Sequence, residues 1–154
     1  MSRPVSDASM GAELLDVIVR LNRWVTHHSD WTLPVAQVRV LAQIDDWGEA
    51  RTSDLARAER CSQPTMTARL QQLEALGWVA RARDRQDARA TSLTLTDAGR
   101  AVLADARQAR TRVIDSLMAP LDAPRRQRLQ AATHALRELL DAAYTQVPPT
   151  RRSP

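Results

Sequence analysis

The chain has 154 residues, 44% of them apolar and 26% charged, with a formal net charge of +4. This balance fits one ordinary globular domain, or two very small ones sharing a core, and excludes a disordered polymer. No window approaches the roughly 18 uninterrupted apolar residues of a membrane span, the opening residues lack the apolar core of a secretion signal, and one cysteine, Cys61, excludes both an internal disulfide and a cysteine-based zinc cluster.

Alanine and leucine dominate, phenylalanine is absent and only four glycines occur, so the chain is expected to be mainly helical. Residues 1–10 and 147–154 read as frayed tails. The first helix is expected over 11–31, where Leu14, Ile18, Leu21, Val25 and His28 draw one stripe at steps of four and three. Leu33-Pro34 breaks it, and Pro34 opens a second helix to about residue 47, stopped by Gly48. Thr52 or Ser53 is expected to cap a short third helix through about Glu59. After the connection Arg60-Cys61-Ser62, Ser62 caps a fourth helix with Pro64 in its first turn. That helix turns Met66, Leu70, Leu73 and also Leu76 inward and ends at Gly77.

The period then changes. Trp78–Arg83 lacks a helical stripe, and Ala90–Thr96 alternates, with Leu93 and Leu95 on one face, so the two runs form a β-hairpin with a charged tip. Thr96 caps a long helix over 97–118, and Asp122 caps a last one carrying Leu129, Ala132, Leu136, Leu139 or Leu140, and Ala143.

All 22 basic residues are arginine, a bidentate phosphate binder compatible with nucleic acid. Residues 51–89 carry eight arginines against five acidic residues, whereas residues 1–50 carry four against seven. Two short helices joined by a tight turn, the second with a polar face, make a helix-turn-helix, and the hairpin after it makes the unit winged. With Met66, Leu70 and Leu73 inward, an ideal wheel turns Pro64, Thr65, Thr67, Ala68, Gln71 and Gln72 outward and leaves Gln63 and Arg69 at the flanks. Such amides and threonine methyls suit base edges in a major groove. Ser62 and the free N–H groups beside it could hold a phosphate.

At this point the chain resembles the MarR family of bacterial transcription regulators. The resemblance rests on the run Cys61–Val79, on Asp87-Ala88-Arg89 in the hairpin, and on Leu93-Thr94-Leu95-Thr96 with Gly99, and it covers about residues 11–145. It implies a mainly α fold with a winged helix-turn-helix lobe over 33–96. A first dimerisation helix over 11–32 and further dimerisation helices over 97–146 complete it. It also implies that Arg89 enters a minor groove with Asp87 orienting it, with Arg83 and Arg85 beside them. Of Arg81 and Arg83, one could instead point inward or hold phosphate.

The partners so implied are double-stranded DNA with a pseudo-palindromic operator and a second copy of the chain. Interface candidates are Leu14, Ile18, Leu21, Val102, Val113, Leu117, Leu129, Leu136 and Leu140, because the end helices hold more apolar positions than a small winged domain needs. The resemblance further implies a repressor relieved by a small aromatic or phenolic effector. Trp24, His27, His28, Trp31, Arg39 and Trp47 are the candidates, although an aromatic stripe at helical spacing serves equally as core. Cys61, beside Arg60 at a helix start, offers a redox-responsive alternative to its role as a small half-buried hydrophobe. A winged module used only for protein contacts is a further alternative. No catalytic motif, metal-ligand set or cofactor loop is present in the sequence, so an enzyme is not expected, and a cytoplasmic location is.

Overall fold

A computed structural model describes residues 7–31, 33–83 and 91–146. The element order is α1 (Asp7–His28), α2 (Val35–Trp47), α3 (Thr52–Ala58), α4 (Gln63–Ala75), β1 (Val79–Arg83), β2 (Thr91–Leu95), α5 (Asp97–Met118) and α6 (Ala123–Gln146). The chain divides into two units, residues 1–113 and 114–154, with the boundary inside α5.

The core of the first unit is built from Val40, Leu41, Ile44, Leu55, Met66, Leu70, Leu73 and Leu93, all fully buried, with Val79, Leu95, Leu103 and Ala106 around them. Met66, Leu70 and Leu73 fall at helical spacing, so one stripe of α4 seats the whole helix. Leu76, placed inward by the sequence pattern, is 51% exposed. It lies in the turn that ends α4, and the stripe does not continue past the helix.

The two strands pair antiparallel, with Val79 opposite Leu95 and Arg81 opposite Leu93. Leu93 and Leu95 are buried as the alternation predicts, and Ser92, the residue before Leu93, is buried as well. Its hydroxyl lies 3.5 Å from the Ala82 carbonyl, at the limit of a hydrogen bond. Ala50, in the link between α2 and α3, adds a bridge to the outer side of β2 through Ala50 N–H to Leu93 O at 3.0 Å and the reverse bond at 2.8 Å.

Several ends differ from the sequence reading. Helix α1 starts at Asp7 rather than after residue 10, since Met10 extends the Leu14–Ile18 stripe by one turn and Asp7 suits a helix start. It stops at His28, three residues early, where buried Ser29 turns its hydroxyl back onto the Val25 carbonyl at 2.6 Å. The cap of α3 is Arg51, not Thr52 or Ser53; its carbonyl accepts from Asp54 and Leu55, and no side chain caps the helix.

Candidate nucleic-acid interface

The turn between α3 and α4 is held by its own backbone. Cys61 N–H donates to Ala56 O at 3.0 Å and Arg60 N–H to Arg57 O at 3.2 Å, with Arg60 at φ +50°. This is the pattern that ends helices in a left-handed residue, a position normally given to glycine. Cys61 thereby packs, half-buried, against the core. Ser62 follows in an extended conformation, and its Oγ accepts from Thr65 N at 3.3 Å while meeting Thr65 Oγ1 at 2.8 Å. Pro64, in the first turn, has no N–H to satisfy.

The anchored α4 leaves one face to solvent. Ser62, Gln63, Pro64, Thr65, Ala68, Gln71 and Gln72 are exposed, while Thr67 and Arg69 are half-buried at the margins. The helix closes with the same backbone device as α3: Trp78 N–H donates to Leu73 O at 3.0 Å and Gly77 N–H to Glu74 O at 2.9 Å, with Gly77 at φ +73°.

Thr96 joins α4, the hairpin and α5 in one knot. Its N–H donates to Trp78 O at 3.1 Å, its hydroxyl donates to Gly77 O at 2.6 Å, and the same hydroxyl accepts from Gly99 N at 3.0 Å. Gly99 is buried against this knot: a Cβ there would stand 2.0 Å from Trp78 O. From the hairpin, Arg81 Nε lies 2.5 Å from Glu74 Oε1 of α4. That carboxylate oxygen is buried without an aligned hydrogen bond, so the contact is one of opposite charges. Arg83 ends β1, and Arg85, Asp87 and Arg89 lie outside the described residues.

The comparisons with known proteins follow the same lines. The MarR family model matches residues 33–91, the stretch from the link before α2 to the start of β2. A transcriptional regulator protein of solved structure from Pseudomonas aeruginosa is 32% identical, with 88% of this chain and 96% of that one covered and a TM-score of 0.72. This chain belongs to the MarR family. An HTH-type transcriptional regulator of Mycobacterium tuberculosis is 26% identical over 137 residues, 88% of this chain and 96% of that protein. A Thermotoga maritima transcriptional regulator of 21% identity shares the fold, with a TM-score of 0.73 over 90% of this chain and 99% of that one. MarR-family proteins are DNA-binding transcriptional regulators that act as dimers, and they are not enzymes.

In this MarR-family chain the effector candidates fall in different places. Trp24 and His28 stack on each other one turn apart on α1, ring centres 3.9 Å apart, and His27 meets His28 edge-on at 5.3 Å. Trp31 and Trp47 pack, half-buried, on the core. Arg39 reaches Glu59 at 3.2 Å, and that carboxylate is only 8% exposed. A cleft of about 480 Å³ in the second unit is lined by Asp115, Met118, Arg126, Leu129, His134 and Arg137 among others, and by none of the effector candidates.

The apolar positions on the end helices are open to solvent. Leu14, Ile18 and Leu21 on α1 are 36–47% exposed, as are Leu117 and Leu129, and Leu140 reaches 55%. Val113 and Leu136 are half-buried. Val102 differs: it packs against the core of the first unit and is not part of an open face. The sequence reading missed Gln37, whose Nε2 donates to Gln72 Oε1 at 3.4 Å, because nothing within either helix marks that approach. It also missed Ala50, an apolar residue in a link with no strand pattern around it.

Proposed function

We propose that this MarR-family regulator works as a homodimer that places two copies of α4 in successive major grooves of a pseudo-palindromic operator, with the hairpin arginines in the flanking minor grooves. The observation that carries this reading is the exposed polar face of α4, held at both ends by local hydrogen bonds and seated by three fully buried side chains. Ser62, Gln63, Pro64, Thr65, Thr67, Ala68, Arg69 and Gln72 are the α4 residues assigned to DNA. Arg83, Arg85, Asp87 and Arg89 are assigned to it from the hairpin on the family resemblance.

The dimer is supported by the rows of exposed apolar side chains on α1 and α6. Contiguous apolar surface of this kind is rare on a monomer, and burial against a second copy removes it from water at roughly 25 cal/mol per Å². Leu14, Ile18, Leu21, Val113, Leu117, Leu129, Leu136 and Leu140 are assigned to that interface. Repression relieved by a small aromatic effector is the mode of regulation we attach to it, supported by the family resemblance and by the exposed Trp24–His28 stack. Its place of action is the cytoplasm, where the DNA is.

The test is a gel shift on promoter fragments at two salt concentrations, run beside light scattering of the free protein. Arg89→Ala is expected to weaken binding to all sequences and to reduce the salt slope by about 1, whereas Thr65→Ala changes sequence preference. Leu129→Asp with Leu140→Asp is expected to give monomers. A monomeric wild-type chain, or one that ignores every fragment at low salt, overturns the proposal.

A further inference from the structure

We propose that Gln37, in the first turn of α2, is a positioning residue that sets which end of the Gln72 amide meets the DNA. The inference rests on the assignment of α4 to the major groove. Gln37 is half-buried and Gln72 exposed, and the Gln37 Nε2 donates to Gln72 Oε1 across 3.4 Å. A terminal amide has a donor end and an acceptor end. With the Gln72 carbonyl turned toward α2, its NH₂ group is the end left to face outward.

This orientation has a consequence for base recognition. An outward NH₂ seeks acceptors, and in the major groove those are guanine N7 and O6, adenine N7 and thymine O4. An outward carbonyl seeks donors, which are adenine N6 and cytosine N4. Gln37 therefore acts as a specificity determinant without itself touching a base. The backbone of α2 supports the arrangement, since Gln37 N–H donates to Pro34 O at 2.9 Å and fixes where the side chain starts.

Two substitutions at Gln37 separate the orientation from mere packing. Gln37→Lys offers only donors, so Gln72 keeps its carbonyl toward α2 and the wild-type base preference is expected to persist. Gln37→Glu offers only acceptors, so the Gln72 amide turns over and presents its oxygen. Selection from a randomised operator library, sequenced for wild type, both variants and Gln72→Ala, reads the result.

The expected outcome is confined to one strand position per half-site. There cytosine, which offers no acceptor, is disfavoured by wild type and Gln37→Lys, whereas guanine and thymine, which offer no donor, are disfavoured by Gln37→Glu, with discrimination of about tenfold. Gln72→Ala flattens the preference at the same position. If Gln72→Ala flattens it but Gln37→Lys and Gln37→Glu both keep the wild-type base, the positioning role is overturned while the DNA reading stands. If Gln72→Ala changes nothing at any position, or the wild type selects no sequence, the placement of α4 itself is wrong and this inference falls with it.

Discussion

Two helical glycines of this chain make opposite predictions for the same substitution. Gly99 lies in the first turn of α5, and an added Cβ would meet Trp78 O at 2.0 Å, the Trp78 carbonyl carbon at 2.9 Å and its Cα at 3.2 Å. These are backbone atoms, held by the bonds from Thr96 to Trp78 O and Gly77 O, so no side-chain rotation relieves the clash. Forcing an extra carbon into a packed site costs about 1–3 kcal/mol, and a rigid backbone neighbour argues for the upper end. Alanine returns about 1 kcal/mol through helix propensity. The net expectation for Gly99→Ala is a loss of about 2 kcal/mol, or a fall in Tm of roughly 4–8 °C for a chain of this size. Gly11, in α1, has nothing within 4 Å of the same position, so Gly11→Ala is expected to gain about 0.5–1 kcal/mol. Guanidinium unfolding followed by circular dichroism, at one fixed protein concentration because a dimer's stability depends on it, measures both. Equal signs for the two variants, or a Gly99→Ala protein as stable as wild type, would refute the packing argument.

Further expectations follow from the same local features. The left-handed turn positions differ in residue: Gly77→Ala is expected to lose about 1 kcal/mol, whereas Arg60→Gly relieves strain and gains about 0.5 kcal/mol after the added freedom of the unfolded chain is counted; denaturant midpoints distinguish them. Removing the α4 cap with Ser62→Ala should cost about 1 kcal/mol of stability and also lower operator affinity, read by unfolding and gel shift on the same preparation. On α4, Leu70→Ala is expected to lose about 2–5 kcal/mol, while Leu76→Ala, six residues on in the turn that closes the helix, changes stability by less than about 0.5 kcal/mol. A large loss at Leu76 would mean that the end of this helix is covered.

Much of the candidate interface was legible before any coordinates. Ser62, Thr96 and Asp122 all cap helices as their residue types and spacing predict, and Gly77 ends α4 in the left-handed conformation. Each of these acts on backbone groups within a few residues, so the pattern that signals it lies in one short stretch. The misplaced features share a different property. Leu76 continues a stripe that the helix has already abandoned, and Val102 packs on the core rather than on an open face. Neither of these alternatives differs in local pattern from the one expected.

The sequence by itself determined the order of helices and hairpin, the inward stripe of α4 and its outward polar face. Hydrogen-bond capping, helical periodicity and strand alternation are properties of neighbouring residues, which made these readable. Only the tertiary structure decided that Gly99 must lack a side chain for Trp78 to pass, that Ala50 pairs with Leu93, and that Gln37 reaches Gln72. Those contacts join residues between 21 and 43 positions apart, where the approach is set by how whole elements pack and not by any preference of the residues that meet.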